Sequence, residues 1–280
     1  MTCFADQACS VQTEIVENVP IARNTMRLRF RVPAMSQRVV PGQFFMIRNP
    51  AGNDPLIGRA LALYDVDSSS GWIDVVYVVK GKLTSSLVKL PVGAPLAVWG
   101  PLGNGFAPPS AEHLIMVAGG IGQTPFLALA KESLGRQRYG HPAPRQSGGA
   151  ARVSLVYGVR SAEYLAGVDA FKEAGVDVNI ATEDGSIGPP RRVTDLLAEV
   201  LDASPAARVV CCGPEPMMEA VSRLTAVRNV DCHVSLETPM ACGIGICFTC
   251  VAKVGSPSDW DYKRTCVEGP VFNARDIVWQ

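Results

Sequence analysis

The sequence predicts a multidomain β plus α/β protein: an N-terminal antiparallel β-barrel, a central Rossmann-like parallel sheet, and a small C-terminal domain built around clustered cysteines. Three observations carry that reading. Short β-rich runs broken by Gly and Pro fill residues 11–108. Apolar strands alternate with helix-period segments over residues 109–231. Finally, Cys242, Cys247, Cys250 and Cys266 follow the spacing C-x4-C-x2-C…C within residues 232–280. Residues 1–10 read as a flexible N-terminus.

In the first region the strand runs are Thr25–Val32, Gly42–Arg48, Arg59–Tyr64 and Trp72–Val79. Their regular spacing and turn residues point to a barrel or sandwich. The character changes after Pro108-Pro109, where His113–Ala118 enters the turn Gly119-Gly-Ile-Gly122 and a helix-period stretch, Pro125–Leu134. Strand runs at Val153–Tyr157, Val176–Ile180 and Arg208–Cys212 then alternate with helices predicted over Val168–Ala174, Arg192–Leu201 and Glu215–Val227. That alternation argues a parallel sheet covered on both faces. Between the first helix and the second strand, Gly135–Arg152 is rich in Arg, Gly, Pro and Gln and reads as a mobile loop.

Composition bounds the function. With 280 residues, 48% hydrophobic and 19% charged, the chain can bury more than one core. Its formal net charge is zero and it has no basic block, which argues against a nucleic-acid partner. No apolar run reaches the roughly 20 residues of a spanning helix, so no membrane segment is expected. Met1–Ser10 lacks the charged and apolar regions of a signal peptide. Thiols kept reduced then point to the cytoplasm.

The cysteine spacing is that of a thiolate-held [2Fe-2S] cluster. Gly243 and Gly245 let the backbone fold closely around the first ligand and turn amide groups toward the sulfurs. The competing readings are a Zn(Cys)4 site, whose ligands come in short paired spacings, and unrelated buried thiols. A disulfide framework fits poorly with nine cysteines in a chain of this length. The Gly119–Gly122 turn lies where a phosphate can approach a helix N-terminus, but it is not G-x-G-x-x-G and by itself equally fits a ligand-free turn. Cys212-Gly-Pro-Glu-Pro-Met217 is a second strand-to-helix turn of the same unit, and two such turns form one crevice. Arg59, opening Arg59-Ala-Leu-Ala62, and the turn Gly81-Lys-Leu-Thr84 with Ser85 suit a pyrophosphate, the ordinary alternative being a surface arginine and an N-cap. His113, His141 and His233 read as structural, and Glu237 as a residue that either caps the cysteine loop or tunes its metal centre, the cap being favoured.

In this order the segments resemble the ferredoxin-reductase-type flavoproteins, and within them the electron transfer subunits of NAD-dependent (type 1B) dihydroorotate dehydrogenase. The resemblance implies that Arg59, Ala60, Leu61, Ala62, Gly81, Lys82, Thr84 and Ser85 bind FAD. It implies that Gly119, Gly120, Gly122, Cys212, Gly213 and Pro214 line the NAD(H) site, and that Glu237–Cys250 with Cys266 holds the [2Fe-2S] cluster. The ending Cys266–Phe272 and the run Thr182–Gly188 are also similar. Two positions depart from the family pattern: Ala62 replaces a hydroxyl residue near the flavin, and Leu83 replaces a glycine. The implied function is electron transfer between NAD(H), FAD, the cluster and an FMN-containing dihydroorotate dehydrogenase catalytic subunit, in a heterotetramer of two plus two. No side-chain acid or base is required in this chain. Rival readings are the electron-input subunit of a sulfhydrogenase, transhydrogenase or glutamate-synthase-like complex, and a non-catalytic zinc-binding module.

Overall fold

Six strands close the N-terminal barrel: β1 (Cys9–Ala22), β2 (Thr25–Arg31), β3 (Phe44–Arg48), β4 (Arg59–Asp67), β5 (Trp72–Val78) and β6 (Pro95–Leu102), in the order β1-β2-β5-β4-β3-β6. The computed structural model describes residues 8–108, 111–140, 145–146, 149–204 and 207–279. Period-two alternation closes the barrel around an apolar interior. In β2, Met26, Leu28 and Phe30 are buried while Arg27 and Arg29 face outward, toward Glu17 and Asp74. Phe30 meets Phe45 edge-on at a centroid separation of 5.8 Å. Two short helices, α1 (Pro33–Arg38) and α2 (Lys82–Leu87), plug the connections.

Strands β1 and β6 are additional to the runs read from the sequence. Register shifts near Ile15 and Pro20 interrupt the alternation of β1. Gly100-Pro101 gives β6 the look of a turn. Gly100 is needed there, because a Cβ would stand 2.8 Å from the Phe45 ring. Cys9 and Ser10, placed by composition in a loose N-terminus, instead pair with Gly100 and Trp99; residues 1–7, with Cys3, lie outside the described residues.

The second unit is a six-stranded sheet in the order β14-β11-β10-β7-β8-β9. Its parallel strands are β7 (His113–Gly119), β8 (Arg152–Val159), β9 (Asp177–Thr182), β10 (Ala207–Cys212) and β11 (Asp231–Ser235). Helices α3 (Phe126–Ser133) and α4 (Val168–Glu173) cover one face; α5 (Val193–Asp202) and α6 (Glu215–Val227) cover the other. This explains why β7 is apolar throughout: Leu114, Met116 and Ala118 pack in the first layer, Ile115 and Val117 in the second. After β11 the chain leaves for a cysteine loop and a two-stranded ribbon, β12 (Val251–Ser256) and β13 (Asp259–Arg264). It returns as β14 (Val271–Asn273), antiparallel to β11.

The expected mobile loop is corrected where it is described. Tyr139 is buried in the barrel core, Gln137 Nε2 donates to the Val66 carbonyl at 2.6 Å, and Arg145 Nε donates to the buried Glu132 at 3.1 Å. These contacts fasten the segment across the barrel–sheet junction, a role its polar composition concealed. Residues 141–144, including His141, and 147–148 lie outside the described residues. No helix among the described residues is long and apolar enough to cross a membrane.

Candidate redox site at the junction of barrel, sheet and cysteine loop

Antiparallel pairing of β4 with β5 brings the start of one to the end of the other, so Arg59 and the Gly81 turn share one rim of the barrel. Lys82 pairs with Asp54, which precedes β4, and ties the two segments together. Gly81 has φ +87, and a Cβ there would meet nothing within 4 Å, which leaves its backbone open to an approaching group. Thr84 is buried, its hydroxyl accepting from the Lys80 amide at 2.8 Å, so it shapes the turn. Ser85 is half-buried. On β4, Leu61 points into the barrel core, while Ala60 and Ala62 lie on the opposite, half-buried face and Arg59 is exposed. Leu83 needs no special backbone: it is a helical residue, 5% exposed, filling the barrel core, and Gly81 alone takes the positive φ.

Thr25 and Val78, partners on β2 and β5, stand at this same rim and line a cavity of about 660 Å³ that opens onto the sheet. Gly119, Gly120, Pro214 and Met217 form its floor at the C-terminal ends of β7 and β10. The glycines of the first turn have different tasks. Gly122 is a packing glycine, since a Cβ would lie 2.1 Å from the Cys212 carbonyl oxygen. Gly120 has φ +55 and open space around it, facing the cavity. Gly213, at φ +155, is pressed against Gly119. Burial pushes the half-buried Cys212 thiol up to about 12, with the Glu237 carboxylate adding to the effect and a Ser235 hydrogen bond opposing it, so it stays neutral near pH 7.

Gln123, which the sequence reading passed over, is fully buried, and neither end of its amide has a partner among the described residues. It ends a 3₁₀ turn that touches β5 of the barrel as well as β8 and β10. A polar residue in an otherwise apolar turn was the available signal. A buried amide left unmade costs about 1–3 kcal/mol, and Gln123 sets that cost where the 3₁₀ turn meets barrel and sheet.

Beside this rim the cysteine loop packs onto the outer face of β3 and β6. A Cβ on Gly243 would stand 2.6 Å from Met46 and 2.9 Å from Leu102, so only glycine allows that approach. Trp99 Nε1 donates to the Cys242 carbonyl at 2.9 Å. The four thiols gather as two pairs. Cys250 and Cys266 are buried with sulfurs 3.1 Å apart, and Cys247 is hydrogen-bonded to Cys242. Ile244 N–H donates to Cys242 Sγ at 3.4 Å and Gly245 N–H to Cys266. Hydrogen bonds from Thr249, then Cys242, draw the exposed Cys247 thiol down to about 6. Among the described residues, no three ligand-type side chains stand close enough together to hold a metal ion as they are, so the choice between centres rests on the pairing of the thiols and their hydrogen bonds. Paired thiols with amides aimed at sulfur fit a dinuclear iron–sulfur cluster better than one zinc ion. His113 and His233 are structural: the first bonds Ser154 at 2.9 Å, the second sits 3.3 Å from Arg208.

Barrel rim, sheet cleft and cysteine loop together define an oxidoreductase that combines FAD, NAD(H) and an iron–sulfur cluster. Known domains match in the same order: an oxidoreductase FAD-binding domain over residues 12–106, an oxidoreductase NAD-binding domain over 116–223, and the iron-sulfur cluster binding domain of dihydroorotate dehydrogenase B over 237–278. The electron transfer subunit of dihydroorotate dehydrogenase B (NAD(+)) from Desulforamulus reducens is 32% identical over 261 residues, covering 93% of this chain and 95% of that one. Its counterpart from Bacillus caldolyticus is 34% identical over 262 residues, 92% and 94% of the two chains. This chain belongs to that family of electron transfer subunits. Among solved structures, the NADH-dependent reduced ferredoxin-NADP oxidoreductase superposes with a TM-score of 0.80 at 28% identity, over 95% of this chain and 90% of that one. The ferredoxin reductase of carbazole 1,9a-dioxygenase shares the fold, with a TM-score of 0.66 at 21% identity, over 80% and 67%.

Proposed function

We propose that this chain carries electrons between NAD(H) and an FMN-containing dihydroorotate dehydrogenase catalytic subunit, in a cytoplasmic heterotetramer of two plus two, with dihydroorotate bound only on the partner. The observation that carries the proposal is the meeting of three sites at one barrel rim: Arg59 and Gly81 on the rim, Thr25 and Val78 opening into the sheet cleft, and Cys242 held by Trp99. When bound, a flavin takes up the two electrons of a hydride and releases them singly, which matches a one-electron cluster to a two-electron nucleotide.

The residues of this chain supply binding, orientation and exclusion of water. Arg59 and the Gly81–Ser85 turn would hold the FAD phosphates, with Ala60 and Ala62 on the half-buried face of β4 next to them and Leu61 supporting that strand from the barrel core. Gly119, Gly120, Gly213 and Pro214 receive the dinucleotide, and Gly122 lets the two turns close on each other. Cys242, Cys247, Cys250 and Cys266 hold the [2Fe-2S] cluster. Cys212, whose thiol burial pushes up to about 12, stands protonated at the same turn. The corresponding domains are 11–108 for FAD, 109–231 for NAD(H) and 232–280 for the cluster.

The exposed apolar residues of the cysteine loop, Ile246 at 74% and Phe248 at 62% exposure, form the face offered to the partner. Purifying the chain with its partner tests the reading: FMN in the complex and dihydroorotate-dependent reduction of NAD+ are expected. Ile246→Glu should break partner reduction while sparing NADH-to-dye activity. A complex with intact cofactors and no dihydroorotate activity would favour the transhydrogenase-like reading, which the fold likeness to the NADH-dependent reduced ferredoxin-NADP oxidoreductase supports.

A further inference from the structure

Away from its glycine turns, the cleft is crossed at the mouth by a contact between barrel and sheet. The turn joining β1 to β2 carries Arg23 and Asn24, and both line the cavity. Asn24 takes φ +53, the left-handed conformation that asparagine tolerates, and so keeps this turn tight. Facing it is a 3₁₀ turn, Ala162–Tyr164, in which no residue is buried. Three contacts join the two turns. Arg23 N–H donates to the Glu163 carbonyl at 2.9 Å, the Arg23 guanidinium pairs with the Glu163 carboxylate, and the same guanidinium lies 5.5 Å from the centre of the Tyr164 ring.

The chain on either side of the 3₁₀ turn is fixed. Before it, the Arg160 carbonyl accepts from the Asp184 amide at 3.1 Å, which continues the sheet ladder. After it, Ala166 N–H donates to the Tyr157 hydroxyl at 3.3 Å, and Gly167 packs on the Tyr64 hydroxyl so closely that a Cβ would overlap it. Between these points the ties are exposed. Ala162 N–H donates to Ser186 Oγ at 2.8 Å, and the side chains of Arg23 and Glu163 are 54% and 47% exposed. An ion pair so open to water is weak, and a segment held by such ties opens locally while the rest of the fold stays intact.

We propose that residues 161–164 are a latch on the cleft, which Arg23 of the barrel holds shut and whose release admits and discharges the dinucleotide. The proposal rests on the reading of the cavity as the NAD(H) cleft, and on no particular orientation of the nucleotide within it. Tyr164 both lines the cavity and belongs to the latch, so opening the latch widens the way in. Arg23 and Glu163 satisfy each other's charge. The latch therefore slows arrival and departure alike and changes affinity little, because it favours neither the empty nor the occupied cleft.

Stopped-flow binding and displacement of ADP-ribose on the full-length, cofactor-loaded protein reads the latch without turnover. Arg23→Ala removes the ion pair and the ring contact and should raise the association and dissociation rate constants together, by about tenfold. Glu163→Gln removes the ion pair alone and should raise both by about threefold, and in each variant the dissociation constant should stay within about twofold of wild type. Hydrogen exchange at the amides of residues 161–164 in the ligand-free protein should quicken in the same order. If these charges instead act directly on the ligand, the two rate constants move in opposite directions, and with opposite sign in the two variants, which overturns the proposal. Unchanged rate constants overturn it as well. Failure of ADP-ribose to bind the wild-type chain would remove the nucleotide-cleft reading, while the exchange comparison would still decide whether Arg23 holds the turn shut.

Discussion

Three of the four clustered cysteines fall between Cys242 and Cys250, on one loop, whereas the sheet cleft draws on the ends of four strands, from Gly119 closing β7 to Pro214 after β10. The loop brings its own backbone donor, Ile244, to its own Cys242 sulfur, and Gly245 to Cys266 where the ribbon returns. The cleft has no such local closure: Gly122 is a required residue only because Cys212, ninety positions later in the chain, lies against it. A site written into one loop tolerates change elsewhere in the fold. A site written into sheet topology fails when the packing beneath it fails.

That contrast can be broken most directly with Cys266→Ser. Cys266 is buried beside Cys250, so its loss should remove essentially all bound iron and sulfide, measured chemically and by visible absorption. ADP-ribose affinity should hold within about twofold if the two sites are built separately, since a buried thiol-to-hydroxyl change acts locally. Loss of both together would refute the contrast.

Gly122→Ala should come next, destabilising the protein by about 3 kcal/mol in thermal unfolding, because its Cβ would overlap the Cys212 carbonyl. Gly120→Ala meets open space and should cost only about 1–2 kcal/mol for its left-handed backbone, while weakening nucleotide binding. Equal stability losses would show that the two glycines do not divide their tasks.

Arg145→Ala removes charge-assisted hydrogen bonds to Glu132 and to the Phe106 carbonyl, and should cost about 2 kcal/mol with faster proteolysis in residues 135–152. Unchanged cleavage would mean that the segment is not fastened there. The smallest effect concerns the floor of the sheet, far from both sites. Burial, with Arg152 adding to it, lowers the His113 pKa below its ordinary 6.5. The unfolded chain then binds the proton more readily, so stability is complete above pH 6.5 and drains as pH falls through the lower folded-state value. His113→Gln should flatten that acid limb of a melting-temperature profile; an unchanged limb would assign it to other groups.

Much of the fold was legible because its signals are periodic. Apolar β7, the alternating β2 and the amphipathic α5 and α6 each record which face is covered. The misses have physical causes. Strand β1 hid behind register shifts, β6 behind Gly100-Pro101, and the 135–152 segment behind a polar composition that gave no hint of Tyr139 entering the barrel core. The four cysteines were legible from spacing, but their grouping into two pairs was not, because Cys266 reaches Cys250 only through the β12–β13 ribbon.

The sequence alone determined what depends on neighbours along the chain: strand and helix periods, the turn residues that permit positive φ, and the cysteine spacing. Tertiary structure alone decided which turns meet, that Gly122 serves packing and Gly120 the cleft, that Leu83 is core, and that Arg23 and Glu163 stand together. Those outcomes depend on strand order and barrel closure, which bring distant residues within contact range and which no local pattern encodes.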